Sequence, residues 1–181
     1  MRLFVAADVP EELRAAIESQ IVEPLRDSLP GARFTRPEGR HLTLKFLGNV
    51  ADERVEEIAR ALRGATAGHA EFDASFAEVG GFPNLRRPRV LWIGIGEGAD
   101  ALARLAGSLD TALEALGFAP EDRPFRGHLT LARFKQPKAV DVVVPEVRLR
   151  GFPVDEIVLF RSHLHPKGAR YEALEWFPLG G

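Results

Sequence analysis

The sequence predicts an α+β fold of two similar lobes, with antiparallel sheets meeting at a central cleft and helices packed outside. Three observations carry this. About eight or nine strand-like segments and three helical ones are joined by mostly short connections, which favours antiparallel pairing. The tetrapeptide His-Leu-Thr-Leu occurs twice, at 41–44 and at 128–131. No flexible linker divides the chain, so residues 1–181 form one bilobed domain.

The first strand is expected over Arg2 to Ala7, and its single cation and short apolar run read as a strand rather than a signal peptide. Pro10 opens a helix where a missing N–H costs nothing. Leu13, Ile17 and Ile21 form its buried stripe, and Pro24 should end or kink it near Val22–Glu23. Strands follow at Ala32–Thr35 and His41–Leu47, the latter ended by Gly48-Asn49. Asp52 is placed to cap a helix in which Val55, Ile58, Ala59 and Leu62 share a face, and Gly64 should stop it. Phe72–Val79 alternates as a strand, Gly80–Asn84 reads as a turn, and Arg89–Ile95 as a buried strand. Gly94–Gly98 lacks the Lys-Ser/Thr of a phosphate-binding loop and reads as a strand-to-helix turn. Leu102, Leu105, Leu109, Leu113 and Leu116 then mark a long helix closed by Gly117. Ala119–Phe125 is a loop. Strands are expected at His128–Phe134, Val147–Phe152, Glu156–His165 and Tyr171–Phe177, with a loop at Pro137–Ala139.

Composition narrows the function classes. Twenty-four Lys+Arg against 26 Asp+Glu give a net charge of −2, and 45% of residues are hydrophobic. This is a foldable chain with a charged surface and no general nucleic-acid coat, although a local basic cleft fits. The absence of Cys excludes thiolate nucleophiles, disulfides, Cys-ligated zinc and iron–sulfur clusters. No apolar run reaches the roughly 20 residues of a membrane span. A cytoplasmic monomer with no membrane partner is the expectation.

The repeated motif carries the chemistry. The offset is 128 − 41 = 87 residues, close to half the chain, and composition alone predicts roughly 0.002 copies of the tetrapeptide. In a strand, His41 and Thr43 face one way while Leu42 and Leu44 face the other. His128 and Thr130 stand likewise against Leu129 and Leu131. Two such strands around a pseudo-twofold bring two imidazoles and two hydroxyls into one cleft. At neutral pH one imidazole can take a proton from water while the other gives one to a leaving alkoxide. Threonine hydroxyls and backbone N–H groups can hold the oxygens of a phosphate. No metal or cofactor is needed. A two-histidine metal site is the alternative, but no third ligand sits at a recognisable spacing.

These residues resemble the 2H phosphoesterase superfamily, and within it the bacterial and archaeal RNA 2′,3′-cyclic phosphodiesterases, historically called 2′-5′ RNA ligases. The resemblance covers nearly the whole chain. It includes Arg2–Ala6, Phe34–Glu38, His41–Gly48, Gly81–Pro83 with Pro88–Trp92, Phe125–Arg133, and Leu159–Ser162 with Tyr171. It implies a bilobed fold and hydrolysis of a terminal RNA 2′,3′-cyclic phosphate to a 2′-phosphomonoester. By position it implies that His41 is the proton donor, His128 the proton acceptor, and Thr43 and Thr130 phosphate contacts. Gly127 replaces a Pro common before the second His. Arg133 matches an arginine that meets substrate phosphate, yet strict alternation puts it on the core side. Either the strand bulges there or Arg133 has a structural ion pair.

Other residues leave alternatives open. Lys45 shares the face of His41 and Thr43 by strict alternation, so it contacts phosphate or solvent. Phe82 and Phe125 either stack on a base or pack in the core. Arg86, Arg87 and Arg89 contact RNA backbone or line a solvated loop. His163 and His165 share a face at the rim or on plain surface, and His69 is given no role. Competing functions are the reverse ligation, another 2H substrate such as a cyclic nucleotide or 2′-5′ oligonucleotide, and an RNA-binding module without turnover.

Overall fold

The computed structural model describes every residue except 137, 138, 140–142, 166, 167 and 181, so Pro137 and Lys138 of the expected loop lie outside the described residues. Ten strands are present among the described residues: β1 Arg2–Ala7, β2 Ala32–Phe34, β3 Leu42–Asn49, β4 Phe72–Ala74, β5 Phe76–Phe82, β6 Val90–Ile95, β7 His128–Phe134, β8 Phe152–Val154, β9 Glu156–His163 and β10 Arg170–Pro178. The α-helices are α1 Glu11–Ile17, α2 Glu23–Arg26, α3 Val55–Thr66 and α4 Ala99–Glu114. One four-stranded sheet has the order β10-β9-β1-β3 and the other β2-β7-β6-β5, with a small β4-β8 pair beside them. Every pairing is antiparallel.

The repeat is visible in the topology. β1, a helix and the first motif strand β3 pair as β1-β3; β6, a helix and the second motif strand β7 pair as β6-β7. The buried leucines of both motifs, Leu42, Leu44, Leu129 and Leu131, join Leu13, Ile58, Leu62, Leu105 and Leu109 in one core. α3 and α4 pack on each other, α3 also on β10 and α4 on β3. β3 and β7 approach where the two sheets meet.

Several expectations need correction. Of the two outcomes expected at Pro24, an end or a kink near Val22–Glu23, the helix does not end, and it is irregular up to Val22. A widened turn over Glu18–Val22 shifts the register, and the helix resumes with Pro24 in the first turn of α2, where its missing N–H costs nothing. Gly64 does not stop α3, which runs on to Thr66; nothing approaches a Cβ built at Gly64, so its cost is only the loss of propensity, about 1 kcal/mol. Asp52 opens a 3₁₀ turn without a side-chain cap. Gly80–Phe82 belongs to β5 instead of a turn, because the Trp92 ring occupies the space where a Cβ of residue 80 would stand. Phe72–Val79 is two strands broken at Ser75.

The strand expected at 147–152 is also displaced. Only Phe152–Val154 pairs, with β4. Val147 and Leu149 pack against the core while Glu146, Arg148 and Arg150 are exposed. The alternation therefore reports an extended chain lying on the core, and alternation alone does not require a hydrogen-bonded neighbour.

The largest departure concerns the motif strands. In the β1-β3 ladder Val5 faces Lys45 and Ala6 faces Thr43, which leaves Leu44 as an extra residue. In the β6-β7 ladder Leu91 faces Ala132 and Trp92 faces Thr130, which leaves Leu131 extra. Both are β-bulges, and a bulge reverses the faces of the residues that follow it. Lys45 therefore turns inward: it is 3% exposed and bound to the Asp110 carboxylate of α4 and to the Ala119 carbonyl oxygen at 2.6 Å. It neither shares the face of Thr43 nor reaches solvent. Lys45→Ala is expected to lower unfolding free energy by about 2 kcal/mol, the worth of hydrogen bonds from a buried ammonium to a half-buried carboxylate and a carbonyl oxygen, with kcat per folded molecule unchanged. Denaturant midpoints beside active-fraction kinetics check this.

Candidate active site

His41 stands just before β3 and lies in an aromatic box. Its ring stacks on Phe4 at 4.7 Å between centroids and on Phe160 at 5.8 Å, and meets Tyr171 edge-on at 5.0 Å. Phe4, Phe160 and Tyr171 come from three neighbouring strands, β1, β9 and β10. The ladders place Phe4 opposite both Phe46 and Phe160, and Ala6 opposite Thr43. Thr43 and Phe46 are thus on the His41 side of this sheet, and Phe46 is 58% exposed.

The backbone at His41 is held from behind by Arg40, only 1% exposed. Its guanidinium reaches the Glu18 carboxylate, the Arg14 carbonyl oxygen at 3.2 Å and the Thr35 carbonyl oxygen at 3.1 Å. Burial pushes the Glu18 carboxyl up, but hydrogen bonds and charge from Arg40 and Arg26 outweigh it and hold the group below its ordinary value. At the equivalent place before the second motif, Gly127 has no side chain. A Cβ there would lie 2.7 Å from the Leu102 side chain. Gly127 therefore lets α4 close directly on the strand, a place that Arg40 and Glu18 fill in the first lobe.

His128 opens β7. Its Nδ1 lies 2.8 Å from the Arg126 carbonyl oxygen; a neutral ring donating Nδ1–H there carries its free lone pair on Nε2. Phe82 meets the ring edge-on at 5.1 Å, and Trp92 lies 6.2 Å away beneath the Arg126 guanidinium. Phe82 thus lines the site beside His128, whereas Phe125 packs against the core. β6 is regular, so Val90, Trp92 and Gly94 share a face, and they stand opposite Arg133, Thr130 and His128 respectively. The bulge at Leu131 therefore puts Arg133 on the same face as His128 and Thr130, exposed and without an ion pair among the described residues. Among the same residues, neither the Thr43 nor the Thr130 hydroxyl has a hydrogen-bond partner.

Electrostatics bear on both imidazoles. Burial, reinforced by the charge of Arg14, draws His41 down to about 4. Burial also lowers His128; the hydrogen bond to Arg126 opposes this, and the charges of Arg133 and Arg126 add to it. Both rings are neutral in the free protein at pH 7.

Other residues fall outside this constellation. His163 bonds Glu172 at 2.7 Å on the surface, and His69 bonds Ser108 at 2.8 Å, tying the end of α3 to α4. Arg86, Arg87 and Arg89 are exposed. Nothing in the sequence pattern announces the aromatic box: Phe4 lies in a strand that is apolar from Leu3 to Ala7 with no alternation to read, and Tyr171 is brought in by pairing with Ser162 across 170–178.

An unfolded His41 binds a proton near its ordinary 6.5, but the folded one does so only near 4. The unfolded state thus holds more protons between these values, so stability is complete above 6.5 and falls as pH drops towards 4. Urea midpoints across this range should show the fall, and it should shrink in His41→Gln.

Comparison with known proteins bears on the sequence and the fold. The model of the 2′-5′ RNA ligase superfamily matches residues 9–166. The RNA 2′,3′-cyclic phosphodiesterase of Methanothermobacter thermautotrophicus is 35% identical over 185 residues, covering 99% of each chain. That of Archaeoglobus fulgidus is 37% identical, covering 98% of this chain and 99% of its own. The crystal structure of TT0787 from Thermus thermophilus superposes with a TM-score of 0.82 at 37% identity, covering 99% of this chain and 98% of that one. E. coli LigT complexed with 3′-AMP superposes with a TM-score of 0.82 at 28% identity, covering 98% and 97%. A His-x-Thr motif duplicated on strands that bulge at the same motif position, and a match in sequence and fold along nearly the whole chain, lead to one conclusion: the chain belongs to the 2′-5′ RNA ligase superfamily.

Proposed function

We propose that this protein is an RNA 2′,3′-cyclic phosphodiesterase that opens a terminal cyclic phosphate to a 2′-phosphomonoester, with His128 as general base and His41 as general acid. The carrying observation is the pair of bulged strands, each presenting an imidazole and an unpartnered hydroxyl on one face. Relatives of this chain are named for this activity, and one has been crystallised with 3′-AMP.

In the proposed step, Nε2 of His128 takes a proton from water as its oxygen attacks phosphorus. The bond from phosphorus to the ribose 3′-oxygen breaks, and protonated His41 gives its proton to that oxygen. The 2′-ester bond stays intact. Thr43 and Thr130 donate hydrogen bonds to the non-bridging oxygens, and Arg133 offsets their charge. The protein supplies this chemistry with side chains alone, and its partner is an RNA or oligonucleotide end. His41 is neutral when the site is empty, so the arriving phosphate anion is what raises its pKa and loads the acid. Reverse 2′-5′ joining uses the same groups, and water at high concentration favours hydrolysis.

Phosphorus NMR of the product from RNA ending in a 2′,3′-cyclic phosphate tests the assignment: a 2′-phosphate is expected, in EDTA as in buffer. A predominant 3′-phosphate would reverse the roles or the ribose orientation. His41→Ala and His128→Ala should each lower kcat by about 10²–10⁴-fold, and the double variant should be little worse than the poorer single one.

The pH profile adds a separate check. One imidazole must be protonated and both are depressed in the free protein. The bell in kcat/KM should therefore centre below pH 6.5, its limbs belonging to the pair. The bell in kcat, which reports the complex, should sit higher because the bound phosphate favours the protonated rings. Coincident bells would contradict loading by substrate.

A further inference from the structure

Arg33 and Arg133 are direct partners in the β2-β7 ladder. Directly opposed residues share a face, so Arg33 continues the His128–Thr130–Arg133 face one strand outward, onto β2 at the sheet edge. Both arginines are exposed. Like charges placed opposite each other on neighbouring strands repel, and here no carboxylate intervenes: among the described residues neither guanidinium has an ion pair. Some exposed arginines have carboxylate partners, Arg126 with Glu78, Arg148 with Glu146, Arg150 with Glu12 and Arg63 with Glu56 and Glu175, and others such as Arg86, Arg87 and Arg89 have none among the described residues. What sets Arg33 and Arg133 apart is that they oppose each other directly on the face that carries His128 and Thr130. A single cation on an edge strand guards against unwanted pairing, but that purpose does not call for two opposed ones. Two uncompensated guanidiniums with Cα atoms about 5 Å apart fit consecutive phosphates of a single strand, each taking one by paired N–H donors.

We infer that Arg33 is a second phosphate subsite, holding the phosphodiester on the 5′ side of the reacting nucleotide while Arg133 serves the cyclic phosphate, so that the RNA leaves the site across β2. The inference rests on the proposed function and adds what that function does not supply: a reason for the site to prefer an oligonucleotide over a mononucleotide. A nucleoside 2′,3′-cyclic phosphate has no 5′ phosphodiester and cannot use Arg33.

The test compares adenosine 2′,3′-cyclic phosphate with a short oligoribonucleotide ending in a 2′,3′-cyclic phosphate. Arg33→Ala should raise KM for the oligonucleotide about tenfold, the worth of one charge-assisted contact, and leave the mononucleotide within about twofold. The slope of log kcat/KM against log salt for the oligonucleotide should become shallower by about 0.7, one phosphate contact on a single strand. Arg33→Lys should keep most of the effect and Arg33→Glu should be worse than Ala. Thermal stability of Arg33→Ala should be equal or higher, because a repulsion is removed. Equal losses on both substrates, or none on either, would overturn the inference while leaving the proposed function standing. A wild-type protein that opens neither substrate would overturn both.

Discussion

One extra residue at the same place in each motif, Leu44 in β3 and Leu131 in β7, governs which side chains stand on the face of the histidines; β3 has a second shift farther on, at Leu47. Without Leu44 and Leu131 as bulges, Lys45 would stand beside Thr43, and Arg133 would point into the core with Leu129. A buried unpaired arginine there would cost several kcal/mol, so the alternating strand is not an available alternative. The bulge solves the parity in both lobes by the same shift, and the two flipped positions are used differently. In the first lobe the inward residue is a lysine bonded to Asp110, which ties β3 to α4, and the outward residue is Phe46. In the second the inward residue is Ala132 and the outward one is Arg133.

A hydrogen-bonded chain then fixes the two motifs relative to each other. Arg40, next to His41, donates to the Thr35 carbonyl oxygen. Thr35 in turn donates through its N–H to the Leu131 carbonyl oxygen at 2.8 Å and through Oγ1 to the Thr130 carbonyl oxygen at 2.8 Å. The carbonyl of the bulged residue, which would otherwise lack a ladder partner, is thereby satisfied by the segment leading into the first motif. The same Nη2 of Arg40 also donates to the carboxylate of Glu18, which lies in the widened turn before Pro24. The helix irregularity, the buried ion pair and the second-motif bulge are successive links between one histidine and the other.

The two faces of each motif are legible in the sequence, because His-x-Thr alternates with Leu-x-Leu and period two leaves no choice. So are α4, β7 and the glycine turn at Gly98, for similar reasons: strong periodicity, or a φ of +79° that glycine tolerates. The bulges are not, since Leu44 and Leu131 are ordinary strand residues with no glycine to mark them. That is why strict alternation puts Lys45 on the wrong face, while the position of Arg133 requires a bulge that the sequence offers only as one of two alternatives. The box around His41 is not legible either, being assembled from strands that are distant in the chain and adjacent only through the order β10-β9-β1-β3.

Duplication gives two equivalent histidines, and the surroundings make them unequal. His41 is enclosed by Phe4, Phe160 and Tyr171, with Arg14 the charge that bears on it. An imidazole so desolvated gives up its proton readily and holds one only while an anion is beside it, which suits the acid role proposed for it. His128 has its Nδ1 set against the Arg126 carbonyl, which leaves a lone pair on Nε2, and burial, with the charges of Arg133 and Arg126 adding to it, holds the ring below its ordinary value, as the proposed base requires. Phe4, Phe160 and Tyr171 surround one histidine, while Phe82, Arg126 and Arg133 border the other, so the proposed substrate would meet two different surfaces. In the proposed reaction one oxygen leaves and the other is retained, and the unequal enclosure of two copies of the same strand is the physical basis for that asymmetry.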